Sequence, residues 1–218
     1  MSGILVGVVD SGVSPGFPGL LAVRRFDADG GAQAVDDRIG HGTAIARLLR
    51  EHGDGPGMLV AQVFAHTQRC SPAQVAAALA WLVDSGAALI NLSVGLRQAA
   101  ACLRRACERA EAAGVILVAS APARGAPVYP AAYAQCIAVC GDARCADDEI
   151  SWLGSANADF GAHPFLLPGD SHSGGASYAA ARVSGRIARL LAAGAPGKEI
   201  GATLRAQCRY YGPERRSA

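Results

Sequence analysis

The chain predicts an α/β fold, a three-layer doubly wound and mostly parallel sheet, on three observations. Short, nearly continuous apolar runs rich in β-branched residues recur along it, segments of helical periodicity separate them, and the composition can fill one sizeable core. The first run is residues 4–9, Ile-Leu-Val-Gly-Val-Val, the pattern of a parallel strand buried on both faces. Residues 58–64, 88–92, 115–119 and 136–139 repeat it. Among the helices, 71–85 is the clearest: Ser71-Pro72-Ala73-Gln74 offers an N-cap serine, a proline at the first helical position and a glutamine to close a capping box. Residues 99–113 and 198–208 also read as helical, and 177–193 carries Val183, Ile187, Leu190 and Leu191 at three- and four-residue steps, one apolar stripe.

The 218 residues are expected to form one domain spanning 1–218, since α/β folds often use such a length as one unit. With 51% hydrophobic and only 17% charged residues, disorder is excluded as a class. A formal net charge of +2, without an extended basic face, gives no reason for a nucleic-acid partner. Arg205, Arg209, Arg215 and Arg216 read as a solvated end. The opening residues lack the preceding positive charge of a secretion signal and the length of a membrane span, so a cytoplasmic protein is expected, without a membrane partner. Seven cysteines cannot all pair internally and are read as reduced thiols. Cys136, Cys140 and Cys145 lack the CxxC knuckles of a zinc site, and strand alternation points Cys136 and Cys140 inward, so no metal is expected there.

In a doubly wound sheet the chemistry sits at the carboxyl ends of strands. Asp10 ends the first strand and is followed by a tight exit, Ser11-Gly12; acids end first strands in many phosphate- or metal-binding α/β proteins, so alone it says little. No Gly-rich phosphate loop follows it, which disfavours a nucleotide-binding protein. His41, in Gly40-His41-Gly42-Thr43, stands before the apolar helical pattern from Ala44 to Leu49. It is either an ordinary helix-start histidine or a base whose free pKa near neutrality suits proton exchange. Ser177, in Gly174-Gly175-Ala176-Ser177, is either an N-cap or a nucleophile on a glycine-cleared turn with a helix N-terminus beside it.

Taken together, Asp10, His41 and Ser177 stand in the chain order of the subtilisin triad, and the sequence resembles the subtilisin-like serine proteases. Val8-Val9-Asp10-Ser11-Gly12 is similar to the family's aspartate motif, Gly40-His41-Gly42-Thr43 to its histidine motif, and Gly175-Ala176-Ser177 with Ala179-Ala180 to its serine motif. Residues 90–95 resemble the substrate-binding strand and 114–119 the strand leading to the oxyanion site, so the resemblance spans about residues 4–193. It implies a subtilisin-like fold and acyl transfer, with His41 taking the Ser177 proton and Asp10 orienting the imidazole. A peptide would lie along residues 93–96 as an added strand, with Ser93, Val94, Gly95, Leu96, Ser120 and Ala121 as substrate-binding candidates. No cofactor is implied. Calcium sites are frequent in the family, but Asp27, Asp29, Asp36 and Asp37 have no regular oxygen-ligand spacing and are read as a solvated acidic loop.

The sequence also departs from the family. The oxyanion region comprises Ser177, Ala123 and Arg124, and Ala123 stands where the family usually has an asparagine donor. Loss of that donor slows catalysis by about 10²–10³, a range measured on subtilisin, itself a member of this family. Ala176 replaces a threonine and Ala181 a proline. The first strand begins four residues in, so no pro-segment is expected. The two readings are a selective endopeptidase processing a cognate precursor, similar to compact subtilisin-like enzymes that remove leader segments, and a catalytically weak or silent peptide-binding pseudoprotease.

Overall fold

The computed structural model describes residues 3–27, 33–167 and 174–214. In chain order the elements are β1 (Leu5–Asp10), β2 (Leu20–Arg25), α1 (His41–His52), β3 (Gly57–Gln62), α2 (Pro72–Asp84), β4 (Leu89–Leu92), α3 (Ala101–Ala112), β5 (Ile116–Ser120), β6 (Cys136–Gly141), β7 (Ile150–Trp152), β8 (Phe160–Ala162), α4 (Ala176–Ala192), α5 (Ile200–Ala206) and β9 (Tyr210–Tyr211). The strands form one sheet in the order β2-β3-β1-β4-β5-β6-β8-β7-β9. Every pairing is parallel except β7 with β8.

Period two in β1 explains why its run is apolar throughout. Val9 packs into the core on one side, with Val75, Leu79 and Leu82 of α2 and Leu103 and Cys107 of α3. Val6 and Val8 pack on the other, with Ile45 and Leu49 of α1, Val183 and Ile187 of α4 and Leu204 of α5. Both faces are covered, so neither tolerates alternating polar residues. Cys136 and Cys140, two apart twice over, share the α2–α3 side as alternation requires. All seven cysteines are free.

The capping box of α2 forms: Ser71 Oγ accepts from Gln74 N at 3.2 Å and Gln74 Oε1 accepts from Ser71 N at 2.7 Å, a cap worth about 1 kcal/mol. The third predicted helix is shorter than its pattern. A 3₁₀ turn, Gly197–Glu199, precedes α5, which stops at Ala206.

Four strands escaped the sequence reading. β2 sits on the sheet edge with Leu21 61% and Val23 38% exposed, so it lacks a buried run. β7, β8 and β9 are three, three and two residues long, too short for periodicity. The expected solvated end is also partly engaged: the Arg205 guanidinium lies 4.6 Å from the centroid of the Trp152 ring, and Arg209 Nε lies 3.7 Å from Glu149 Oε1. Arg215 and Arg216 lie outside the described residues. No helix among the described residues is long and apolar enough to cross a membrane.

β1 has β3 on one side and β4 on the other, so the strand order turns around at β1. A crevice opens at the carboxyl end of a strand in that position, and Asp10 is the residue that ends it.

Candidate active site

Asp10 is fully buried, and its main chain is held by the residue that follows β3, with Val63 N donating to Asp10 O at 2.8 Å. Its carboxylate accepts from Ser11 N at 2.6 Å and meets His41 Nδ1 at 2.8 and 2.9 Å through its two oxygens. A carboxylate on Nδ1 fixes the imidazole plane and leaves Nε2 for other work. His41 is the first residue of α1. The residue after it has to be small: a Cβ on Gly42 would run into the carbonyl of Gly12 and lie 3.2 Å from Asp10 Cβ. The glycine lets α1 dock against the exit of β1, and this close approach brings histidine to aspartate.

Burial pulls the His41 pKa down, but the hydrogen bond and charge of Asp10, with the charge of Asp37, outweigh it and raise the value above the ordinary 6.5. Asp37, assigned from sequence to a solvated loop, is half-buried and fully engaged. It accepts from Ser11 Oγ, Gly40 N, Thr43 N and Thr43 Oγ1. Burial pushes its carboxyl up, and these bonds, led by the Thr43 hydroxyl, hold it below the usual carboxylate range. The fully buried Gln62 ties the same segment to β1, donating from Nε2 to Ser11 O at 2.8 Å and Val35 O at 2.9 Å. Among the described residues, no group of three or more His, Cys, Asp or Glu is arranged to hold a metal ion; Asp29 lies outside them.

Ser177 is the second residue of α4, whose N-cap is Gly175 rather than the serine. The pairing of α1 with α4 sets its position. At Gly185 the helices touch so closely that an added Cβ would lie 2.8 Å from Leu49 O and 2.6 Å from His52 Cβ. Leu49 is eight residues beyond His41 and Gly185 eight beyond Ser177 (49 − 41 = 185 − 177), so equal helical rises of about 12 Å lead back from the contact to both residues. The Tyr178 ring, next to Ser177, lies 5.7 Å from the His41 ring, centroid to centroid. Among the described residues no hydrogen bond joins the Ser177 hydroxyl to His41.

The substrate-binding candidates cluster where β4 and β5 leave the sheet side by side. Val94 and Ala121 are each 2% exposed, their side chains in the core; Ser93 and Ser120 are buried and Gly95 is exposed. Leu96 corrects the expectation of a strand added along residues 93–96. Its N–H and C=O are both bonded to Tyr129 at 2.8 Å, so its backbone is not open to a peptide. Val94 and Gly95 make no backbone–backbone bond among the described residues. Sequence reasoning missed Asn91, fully buried in β4. It donates to Ser93 Oγ at 3.0 Å and accepts from Ser184 Oγ at 2.9 Å, joining the candidate substrate segment to α4. The signal was there: an amide inside the apolar run 88–92 is out of place unless it is bonded.

Ala123 and Arg124 are exposed and line a cleft of about 320 Å³ with Gly141, Asp142, Pro164 and Glu214. Arg124 makes no hydrogen bond or ion pair among the described residues. A larger cleft of about 710 Å³ lies between Gln135, Trp152 and Arg205. It reaches the amino end of β6, away from the crevice, and none of the candidate catalytic residues lines it, so its size says nothing of catalysis.

With this geometry in place, comparison with known proteins gives the class. The Subtilase family matches residues 1–206, and the chain belongs to that family. It is 25% identical over 151 residues to subtilisin DY of Bacillus licheniformis, covering 62% of this chain and 55% of that protein; the chain thus spans about half the length of that relative. Two solved structures are similar in fold. The epidermin leader peptide processing serine protease (EpiP) from Staphylococcus aureus has a TM-score of 0.73 at 16% identity, covering 94% of this chain and 68% of that one. A lanthipeptide protease has a TM-score of 0.75 at 17% identity, covering 93% and 79%.

Proposed function

We propose that the protein is a selective serine endopeptidase of the cytoplasm that cleaves one peptide bond in a cognate peptide or protein precursor, removing a leader segment through an acyl-enzyme. The observation that carries this reading is the buried Asp10 carboxylate on His41 Nδ1, with Ser177 at the neighbouring helix N-terminus. His41 Nε2 accepts the Ser177 proton as Oγ attacks the scissile carbonyl, and Asp10 stabilises the imidazolium that forms. The proton then passes to the leaving amine, and water repeats the sequence to release the acyl group. The peptide is held by the open backbone of Val94 and Gly95, with Ser93, Ser120 and Ala121 beneath it.

Two further observations favour selectivity. Ala123 offers the oxyanion no side-chain donor, leaving the Ser177 N–H and the α4 dipole on the protein side, so a substrate that completes or tightens the site gains most. Arg124, on the same cleft as Ala123, is the candidate cation for that task. Both structural neighbours process peptides by their own descriptions, and the sequence also resembles the maturation protease of the quinohemoprotein amine dehydrogenase small subunit. Ala123 equally favours the second reading, a silent peptide-binding pseudoprotease. A fluorophosphonate probe separates them: labelling at Ser177 that is lost in His41→Ala supports the enzyme, and no labelling with or without cognate peptide supports the binder.

A further inference from the structure

We infer that Asp37 is a positioning residue of this active site, a second carboxylate that fixes His41 against Asp10 by gripping the backbone on both sides of the histidine; the inference rests on the serine-peptidase reading above. Helix α1 starts at His41 with glycine as its N-cap, so no cap side chain is available there, yet its first-turn N–H groups still need acceptors. Asp37 and Ser11 supply them. Asp37 Oδ1 accepts from Gly40 N at 2.8 Å, one residue before His41, and from Ser11 Oγ at 2.8 Å, one residue after Asp10. Asp37 Oδ2 accepts from Thr43 N at 2.9 Å and Thr43 Oγ1 at 2.6 Å, two residues after His41. Ser11 Oγ in turn accepts from Gly42 N at 2.9 Å. One carboxylate therefore ties together the chain segments that carry both members of the Asp10–His41 pair. Rotation of the His41 backbone away from Asp10 breaks bonds at Gly40, Gly42 and Thr43 together.

The site calls for a carboxylate in particular. Four donors converge on it, and an ionised carboxylate accepts at both oxygens. An asparagine has one acceptor atom and would aim its NH₂ at donors. The charge matters as well as the geometry. Among the described residues, the groups facing the imidazole are Asp10 from β1, Asp37 from the segment before α1 and Tyr178 from α4, and the Asp37 charge favours the protonated ring. A neutral helix cap would stabilise α1 without altering the proton affinity of His41.

The test uses the whole chain as wild type, Asp37→Asn and Thr43→Val, with two readouts: NMR titration of the His41 imidazole, and the pH dependence of the rate at which a fluorophosphonate labels Ser177. In Asp37→Asn the His41 midpoint moves to lower pH than in wild type, and labelling above the midpoint slows about tenfold as the imidazole loses its fixed placement. Thr43→Val keeps the Asp37 charge, so its midpoint stays near wild type while labelling slows about threefold. A folded Asp37→Asn protein with wild-type midpoint and wild-type labelling overturns the inference and leaves Asp37 a cap. If Asp37→Asn does not fold, Thr43→Val decides, and wild-type labelling in it overturns the inference. A wild-type protein that is never labelled sinks the peptidase reading; a His41 Nδ1 proton resonance seen in wild type and lost in both variants then still supports the placement of His41 by Asp37.

Discussion

On the His41 side of the crevice the polar groups are paired with one another. Asp10 holds the imidazole at 2.8 and 2.9 Å, Asp37 holds the turn around it, and Gln62 holds the segment that carries Asp37. Around the Ser177 hydroxyl the described residues show no comparable lattice. The hydroxyl makes no bond to His41 among the described residues, Ala123 and Arg124 are exposed, and the residue before Ser177 is an alanine. The contrast teaches that the Asp10–His41 pair is prebuilt, while on the proposed reading the oxyanion would depend on backbone N–H groups and on what the substrate brings. Preorganised charge is where most electrostatic catalysis resides, so a chain furnished on one side only is expected to be slow on general peptides and selective in what it accelerates.

The contrast breaks first if the prebuilt side is dispensable. His41→Ala is expected to slow Ser177 labelling by about 10⁴-fold or more, read as the second-order rate of fluorophosphonate capture. A drop of less than tenfold would detach the histidine from the nucleophile. The deficient side can be repaired. Ala123→Asn, at an exposed position, is expected to raise kcat on a simple chromogenic peptide by about 10², and an unchanged kcat would mean that the oxyanion sits elsewhere.

The alignment of the halves is tested at the helix contact. Gly185→Ala forces a Cβ against Leu49 O and His52 Cβ. It should cost about 1–3 kcal/mol of stability, measured by denaturant unfolding, and slow labelling as α4 moves from α1.

pH dependence probes the His41 side alone. Its pKa is raised, so labelling should increase with pH through a midpoint above 6.5. The sign for stability is opposite: the charged His41–Asp10 pair contributes fully below the unfolded-state value and fades as pH rises through the folded one. Asp10→Asn should therefore destabilise the fold more at pH 5.5 than at pH 8.5, in paired denaturation curves. The smallest effect concerns the peptide track. Gly95→Ala meets its nearest neighbour, Val128, at an ordinary contact distance of 3.6 Å, so the fold should stand while KM for the cognate peptide rises about threefold.

Much of this contrast was legible in the sequence, though unevenly. The buried strands β1, β3, β4, β5 and β6 were readable because burial on both faces forces unbroken apolar runs, whereas β2 was not, since an edge strand with Leu21 and Val23 exposed carries no such constraint. Asp10 and His41, each ambiguous alone, were readable as a pair because their chain order and motifs resemble those of the subtilisin-like proteases. Asp37 was hidden, because its role comes from donors at positions 11, 40 and 43 that converge only in space. The occupation of the Leu96 backbone by Tyr129 was hidden likewise, since an isolated bridge between two loops leaves no periodic trace.

The most direct measurement is a crystal structure of the protein after reaction with a peptidyl phosphonate. The account predicts a covalent bond to Ser177 Oγ, His41 Nε2 within about 3 Å of that oxygen, and a phosphonyl oxygen bonded to the Ser177 N–H with no side-chain donor from position 123. A bond to any other residue, or a histidine out of reach of Ser177 in the adduct, would contradict it.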